Sequence, residues 1–413
     1  MTKSHNILFV HYGDDGIRGS ERVLIDLIEN LPETITAHLW TNNPSLQKAV
    51  ESYCRTTTLD HFSLIFGWTS PRFDLINHFR LKAKAQHLIE KNQIDLIHCN
   101  TGGPNQWLNS VARKSNTPIL LHLHAHYVMR DLISLGIFTS PLTVAASPSV
   151  TSELRKIGIS ESNTRTITNR INDDRFFASK AIDIREANNI AEDAFLIACV
   201  GALIPMKGPQ YLIEALGILR QEDLKPHVVF IGEGVSHSSL KSLAEKHHVS
   251  EQVTFLGQRQ DVASILRGSI DCFVMPSLGE CYPLVLEEAA FARLPTIGTN
   301  TGGIPHIIQH ESSGLIVPTA DASSLAKGIS SLMRDPVYAE KLGDAFYQES
   351  QERFQLKAFT EEFHSLYQMI FDNPSSAIPT KENQWSALKI ALRFVKKKIG
   401  HRIFKQPMDM VEN

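Results

Sequence analysis

Two glutamates eight positions apart follow a predicted buried strand in the second half of the chain. Residues 276–289 read PSLGECYPLVLEEA, with Glu280 in the loop after the strand and Glu288 in a helix whose first turn contains Pro283. Proline suits that position because its missing N–H costs nothing there. The N–H groups at the helix start favour an anion such as a diphosphate, and the carboxylates can accept hydrogen bonds from sugar and ribose hydroxyls. Taken alone, two glutamates at this spacing are more typical of exposed surface charges.

A cation and a pair of glycines accompany these carboxylates. Residues 200–208 read VGALIPMKG, which places Lys207 between a predicted strand and a predicted helix. Its ammonium is therefore a candidate for binding a donor diphosphate. Residues 301–306 read TGGIPH, and the adjacent glycines, Gly302 and Gly303, permit backbone dihedral angles closed to other residues and let a ligand approach. A single lysine is usually solvated and a bare Gly-Gly is usually a loop, but the spacing after Glu288 supports one pocket.

Three histidines form the competing constellation. Residues 118–126 read PILLHLHAH, so strand alternation would place His122, His124 and His126 on one face. Imidazoles at that spacing can bind a metal, which makes a metal-dependent hydrolase the rival enzyme class. No Asp, Glu or His series with ligand spacing lies nearby to complete such a site. Ordinary packed histidines are a further alternative.

The elements that must position these residues alternate along the chain. Helical patterns of apolar residues separate short apolar runs that predict strands at residues 7–10, 94–98, 119–123, 142–146, 195–200, 227–231, 253–256, 272–275 and 296–298. This order predicts an α/β protein with parallel sheets covered on both faces. The series occurs twice, before and after a polar stretch at residues 169–193 that we interpret as a hinge. Ligands of such sheets bind at the carboxyl ends of the strands, so a cleft between two domains is the expected site.

Over residues 5–371 the motifs resemble those of retaining glycosyltransferases of the GT-B fold, the large family 4 group. The segment at Glu280 is similar to the family's E-x7-E motif, E-G-F-[GP]-L-V-L-L-E-A, although Cys281 and Tyr282 replace the usual Gly-Phe. The VGALIPMKG segment resembles V-G-R-L-x-x-x-K-G, with Ala202 in place of arginine. TGGIPH resembles the G-G-x-x-E turn, with His306 in place of glutamate.

Three further segments carry the resemblance in the first half of the chain. Residues 16–22, GIRGSER, are similar to the family's G-G-[AS]-E-R loop, which implies that Gly19 approaches the donor phosphate. The strand before the histidines resembles P-V-V-x-T-x-H-[GD], and in that register His124 is the histidine beside the sugar's reacting end. Residues 169–176, NRINDDRF, resemble N-G-V-D-x-x-x-F, which closes the first domain; here Arg170 replaces glycine.

The resemblance implies two Rossmann-like parallel-sheet domains facing across a cleft. We expect an acceptor domain at residues 1–176, a nucleotide-sugar donor domain at 177–355, a crossover helix at 356–371, and a linker with a basic amphipathic tail at 372–413. The implied activity is that of a hexosyltransferase in polysaccharide or lipopolysaccharide biosynthesis. It would move a sugar with retention from a UDP- or GDP-linked donor to a glycan or lipid-linked acceptor.

The site residues carried over from the family fall into two groups. Catalytic roles are implied for His124 and Glu280, and donor binding is implied for Gly19, Lys207, Glu280, Cys281, Tyr282, Pro283, Leu284, Glu288 and Gly303. No metal or other cofactor is implied, because lysine and helix dipoles balance the leaving diphosphate. A non-catalytic sugar-nucleotide-binding protein and a nucleotide-sugar epimerase remain alternatives.

The composition of the chain limits which binding partners and which cellular compartment we expect for the protein. A net charge of −3 shows no nucleic-acid footprint. The five scattered cysteines fit a reduced cytoplasm, and no apolar run reaches the roughly 18 residues that span a bilayer. Residues 381–405 combine basic residues with an apolar stripe on a helical projection. Such a tail can lie on an anionic membrane surface at the cytoplasmic face, or pack on the first domain.

Overall fold

The computed structural model describes residues 4–66, 73–381 and 383. The chain divides into two compact units. The first unit comprises Met1–Thr168 and Phe359–Asn413, and the second comprises Asn169–Ala358. The predicted basic tail, residues 381–405, lies almost wholly outside the described residues. Within the described ranges, no helix has the length and apolar character needed to cross a membrane.

The first unit is built on a parallel sheet of seven strands. The strands are β1 (His5–His11), β2 (Ile35–Thr41), β3 (Cys54–Leu59), β4 (Leu96–Cys99), β5 (Ile119–Leu123), β6 (Thr143–Ala145) and β7 (Thr164–Thr166). Their order across the sheet is β3-β2-β1-β4-β5-β6-β7, with parallel pairing throughout. The helices between them are α1 (Gly19–Glu29), α2 (Pro44–Val50), α3 (Leu75–Lys91), α4 (Asn105–Ser115), α5 (Met129–Ser134) and α6 (Pro148–Lys156).

The second unit repeats this plan with six strands. They are β8 (Leu196–Val200), β9 (His227–Ile231), β10 (Val253–Phe255), β11 (Cys272–Met275), β12 (Thr296–Thr299) and β13 (Leu315–Val317). The order is β10-β9-β8-β11-β12-β13, again parallel. Its helices are α7 (Asp173–Ala178), α8 (Pro209–Gln221), α9 (His237–Lys246), α10 (Val262–Leu266), α11 (Leu284–Phe291), α12 (Ile304–Ile307), α13 (Ala322–Arg334) and α14 (Pro336–Arg353).

Apolar side chains on both faces of each sheet explain why these segments fold as they do. In β1 the last five residues are all buried, as expected of a strand covered by helices on both sides. The apolar positions of α1 that recur with helical spacing, such as Val23, Leu24 and Leu27, are fully buried. The fold is therefore the predicted one: two Rossmann-like α/β units with parallel sheets.

Each sheet has one point at which the strand order reverses direction. In the first unit it lies between β1 and β4, and in the second between β8 and β11. Loops leaving the carboxyl ends of the two strands at such a point run to opposite sides and leave a crevice. The residues that follow these four strands are therefore the ones that the fold positions for a ligand.

The chain enters the second unit earlier than the sequence analysis placed it. The stretch at residues 169–193, predicted as a hinge, belongs to the second unit. The backbone N–H of Ile171 donates to Glu287 Oε2 (3.0 Å), and that of Ile182 donates to the Ser264 carbonyl (2.9 Å). These bonds hold a polar segment against the second unit, which puts the boundary after Thr168 and not after residue 176.

Helix α15 (Leu356–Asp372) belongs to the first unit from Phe359 onward. The hydroxyl of Tyr367 is hydrogen-bonded to His98 Nδ1 at 2.6 Å. The ring of Phe371 stacks on that of His5, with 3.9 Å between centroids. Aromatic contacts, of which the His98–Tyr367 pair is buried, thus attach α15 to the sheet of the first unit.

Candidate functional site

A lysine–glutamate pair occupies the crevice of the second unit. Lys207 ends a short 3₁₀ turn after β8, and Glu280 lies in the loop after β11. Lys207 Nζ donates to Glu280 Oε1 at 2.6 Å, and the hydroxyl of Ser277 donates to the same oxygen at 2.8 Å. Glu280 is buried, whereas Lys207 is half-buried. The sequence placed both residues in one pocket, and the structure joins them directly.

The cavity beside this pair is formed by the two strand ends. Residues 199–203 and 275–277 line it, together with Lys207 and Pro209. At Gly208 the two loops come into close contact. Gly208 has φ of 64°, and a Cβ there would lie 2.0 Å from the Pro276 carbonyl oxygen. Only glycine therefore lets the Lys207 turn pack against the loop that carries Glu280. Ala202, which stands where the family has arginine, is exposed next to the cavity.

The glycine pair supports the Glu280 loop from the other side. Gly302 has φ of 53°, and a Cβ on it would lie 1.7 Å from the Glu280 carbonyl oxygen. A Cβ on Gly303 would lie 1.9 Å from the carbonyl oxygen of Cys281. The two glycines thus make room for the neighbouring backbone, whereas the sequence analysis reserved that room for a ligand. His306 is exposed.

Helix α11 begins at Leu284, so Pro283 is its N-cap and not a residue of its first turn, where it was predicted. Cys281, Tyr282 and Pro283 are buried and Leu284 is partly exposed. Glu288 is half-buried in the second turn of the helix. The E-x7-E pair therefore has one carboxylate in the loop at the strand end and one on the helix that follows.

A cluster with two buried members and one partly buried arginine, which the sequence analysis missed, lies against the same helix. Arg170 Nη1 donates to the Tyr282 hydroxyl (2.6 Å) and to Glu287 Oε1 (3.2 Å). Burial raises the pKa of Glu287 to about 8, although the charge of Arg170 and the N–H of Ile171 oppose this rise. Arg170, Tyr282 and Glu287 all stand where the family pattern has other residues: glycine, phenylalanine and leucine. Three coincident departures were the signal that could have revealed the cluster.

In the first unit, four polar side chains meet at the reversal point between β1 and β4. They are His11 at the end of β1, Glu21 in α1, Asn100 directly after β4, and His124 directly after β5. His11 Nε2 is 2.8 Å from Glu21 Oε1, Asn100 Nδ2 is 3.1 Å from His11 Nδ1, and His124 Nε2 is 3.0 Å from Asn100 Oδ1. The first three are buried and His124 is partly exposed.

His124 was predicted as a site residue, but its buried partners were not. Asn100 follows a short strand and carries no motif of its own. Its place beside His11 becomes visible only when β1 and β4 are known to be neighbours. Gly19, the other predicted residue of this unit, is exposed at the first position of α1.

The three histidines of residues 122–126 do not share a site. Strand β5 ends at Leu123, so only His122 lies in the strand. His122 Nδ1 is 3.4 Å from His98 Nε2 in the buried interior, whereas His126 Nδ1 is 2.7 Å from Glu153 Oε2 at the surface. No group of three or more metal-ligating side chains exists within the described residues. The ring centroids of His122 and His124 are 4.0 Å apart, as expected of residues on one face, but the strand-face prediction was wrong for His126. The metal-dependent hydrolase has no support.

Two family models match the chain, one on each unit. The model described as Glycosyltransferase Family 4 matches residues 17–175, and that described as Glycosyl transferases group 1 matches residues 180–350. Together they cover most of the described chain.

Among similar proteins is the N-acetyl-alpha-D-glucosaminyl L-malate synthase of Bacillus anthracis. It is 24% identical over 327 residues, which are 76% of this chain and 83% of the relative. The UDP-Gal:alpha-D-GlcNAc-diphosphoundecaprenol alpha-1,3-galactosyltransferase of Escherichia coli is 25% identical over 281 residues, covering 64% of this chain and 72% of the relative.

A solved structure shows the same fold. The crystal structure of Anabaena HepE in complex with UDP-glucose superposes with a TM-score of 0.74 and 18% identity, over 88% of this chain and 99% of that one. Two parallel sheets with this fold, and a family model matched to each, show that the chain belongs to the family 4 glycosyltransferases of the GT-B fold.

Proposed function

We propose that this glycosyltransferase uses a nucleoside diphosphate sugar and transfers the sugar with retention of its anomeric configuration. The observation that carries the proposal is the Lys207–Glu280 pair at the strand-order reversal of the second unit. A donor diphosphate brings negative charge to a place where a half-buried ammonium and the start of α11 both favour it. UDP-glucose in the related Anabaena structure supports the choice of donor class.

The ion pair suggests how the donor is accepted. In the structure the Lys207 ammonium is already bound to Glu280, so an incoming diphosphate must share or replace that carboxylate. Charge-assisted hydrogen bonds to phosphate are strong enough for this exchange. Glu280 then becomes available to accept hydrogen bonds from sugar hydroxyls. Glu288, in the second turn of α11, is the corresponding acceptor for the ribose.

The reaction that follows needs no covalent intermediate on a carboxylate. The bond between the anomeric carbon and the diphosphate oxygen breaks, and the bond to the acceptor oxygen forms on the same face. The leaving phosphate oxygen takes the acceptor's proton. Lys207 stabilises the charge that develops on the diphosphate, and His124 supplies a hydrogen-bonding imidazole that orients the sugar.

The acceptor is proposed to be a glycan or a lipid-linked glycan at the cytoplasmic face of a membrane. The Escherichia coli relative is named for a diphosphoundecaprenol-linked acceptor. The basic segment at residues 381–405 has the composition of a membrane-surface helix. Together these observations favour a peripheral enzyme that meets its acceptor at the membrane.

A panel of UDP- and GDP-sugars tests the donor proposal. Isothermal titration should find one donor that binds, and release of its nucleoside diphosphate should follow when an acceptor extract is added. NMR of the product linkage should show the anomeric configuration of the donor. Inverted product would overturn the retaining course, and donor binding without any turnover across acceptors would favour a binding protein.

A further inference from the structure

A continuous chain of hydrogen bonds leads from a buried carboxylate to His124. It runs from Glu21 Oε1 to His11 (2.8 Å), from His11 to Asn100 (3.1 Å), and from Asn100 to His124 (3.0 Å). The chain joins residues at the ends of three adjacent strands and in helix α1. Every donor and acceptor in it can be assigned from one fixed point.

That fixed point is the backbone carbonyl of Ser20. Asn100 Nδ2 lies 3.1 Å from this oxygen, which can only accept, so the amide nitrogen must face it. The amide oxygen Oδ1 therefore faces His124, and His124 Nε2 must carry a hydrogen to donate. The second amide hydrogen points to His11 Nδ1, which must accept. His11 consequently carries its hydrogen on Nε2 and donates it to Glu21 Oε1.

Glu21 is itself held as an acceptor. Its other oxygen, Oε2, accepts from the Arg18 backbone N–H and from the Ser20 hydroxyl, both at 3.1 Å. Burial would raise the pKa of Glu21, but the hydrogen bond from His11 and the helix-start N–H groups lower it to about 2. Gly13 leaves space for this arrangement, since a Cβ there would lie 2.5 Å from Glu21 Oε1 and 2.8 Å from His11 Nε2.

We propose that Glu21 is a positioning residue: it holds His11 as an acceptor for Asn100, and together with the Ser20 carbonyl it thereby sets the tautomer and ring orientation of His124. Because His124 Nε2 always donates to Asn100, His124 can gain or lose a proton only at Nδ1. The neutral ring thus offers Nδ1 as its acceptor nitrogen. The expected effect on turnover rests on the role of His124 in the proposed function. The assignment of the tautomers does not depend on that role.

The first test reads the tautomers directly, without substrate. Protein labelled with ¹⁵N-histidine is examined by long-range ¹H–¹⁵N correlation NMR, in which protonated and unprotonated ring nitrogens are distinguishable. His11 and His124 should both carry their hydrogen on Nε2. Glu21→Gln places an amide against His11 or Arg18 and should disturb both rings. Asn100→Asp should keep Nε2–H on His124 while His11 gains a second hydrogen, on Nδ1, because carboxylate oxygens then accept from both of its ring nitrogens.

Glu153→Gln is the matched control, since it makes the same change at another histidine–glutamate pair, with His126. It should leave His11 and His124 unaltered. An Nδ1–H tautomer at His124 in the unchanged protein overturns the inference. So do unchanged tautomers in both Glu21→Gln and Asn100→Asp.

The second test measures turnover with the donor found above. Glu21→Gln should lower kcat by roughly tenfold or more with little change in KM for the donor, because orientation and proton placement act on the reacting state. Glu153→Gln should keep full kcat. Normal kcat in Glu21→Gln despite altered tautomers would overturn the positioning role. If His124→Ala also kept its kcat, the catalytic role of His124 in the proposed function would fail separately.

Discussion

Two buried histidines should make the first unit sensitive to mild acid. His98 and His122 are fully buried. His98 Nδ1 meets the Tyr367 hydroxyl, and among the described residues His122 Nε2 has no hydrogen-bond partner. Burial, reinforced by the charge of His124, lowers the pKa of His98 to about 3 and moves that of His122 well below its ordinary value. Both imidazoles are therefore neutral in the folded protein.

The sign and size of the effect follow from proton linkage. Above pH 6.5, the ordinary histidine pKa, neither state binds a proton at these sites, so they do not change the stability. Below it, the unfolded chain binds protons that the folded chain excludes, so the free energy of unfolding falls as the pH falls toward about 3. At about pH 5 each histidine should lower the free energy of unfolding by about 2 kcal/mol, and the pair should lower it by about 4 kcal/mol.

Tryptophan fluorescence provides a selective assay. Trp40 and Trp107 are fully buried in the first unit, and residues 169–358 contain no tryptophan. Denaturant unfolding at about pH 7.5 and about pH 5 gives the loss for the unchanged protein. His98→Gln and His122→Gln should each reduce that loss by about 2 kcal/mol, whereas His87→Gln, an exposed position, should leave it unchanged. An identical loss in all four proteins would refute the reasoning.

The remaining predictions concern the donor, the reacting sugar and the membrane. Lys207→Ala and Glu288→Ala should each weaken donor binding roughly ten- to a hundredfold, because each removes about 1.5–3 kcal/mol of charge-assisted hydrogen bonding; calorimetry measures this, and unchanged affinity in both would remove the pocket assignment. His124→Ala should lower kcat far more than donor affinity, whereas His126→Ala should lower it less; steady-state kinetics with equal losses in both would contradict the assignment of His124. Removal of the residues after Thr380 should reduce pelleting on anionic vesicles, and equal pelleting would exclude the tail as the anchor.

The sequence predicted the parts of the fold that rest on continuous apolar runs. Strand β5 was placed correctly because residues 119–123 are an apolar run between turn residues. Strands β2 and β3 were not predicted, since polar residues interrupt the apolar ones in ITAHLWT and CRTTTL, and β7 and β13 were missed because each is only three residues long. The pattern of apolar residues within a segment does not reveal an edge strand whose side chains are mostly polar.

The same distinction separates the site residues that the sequence predicted from those that it did not. Lys207, Glu280 and Glu288 were found because they belong to motifs that are contiguous in the chain. His11 and Asn100 are 89 positions apart, and their contact depends on β1 lying beside β4. Strand alternation did not predict the position of His126, because β5 ends at Leu123. Contacts set by strand order and by the exact end of a strand require the tertiary structure.

The Arg170 cluster constrains how this enzyme can be recombined with its relatives. A chimera that imports a relative's donor loop would replace Tyr282 and Glu287 but keep Arg170, and a chimera joined after residue 176 would replace Arg170 but keep the other two. Either exchange leaves a buried hydrogen-bonding group without its partner, a change that typically costs about 1–3 kcal/mol. Tyr282 and Glu287 lie 112 and 117 residues after Arg170 in the chain. The three residues must therefore be exchanged together. Crossovers that transfer donor specificity should keep the whole of Asn169–Ala358 together.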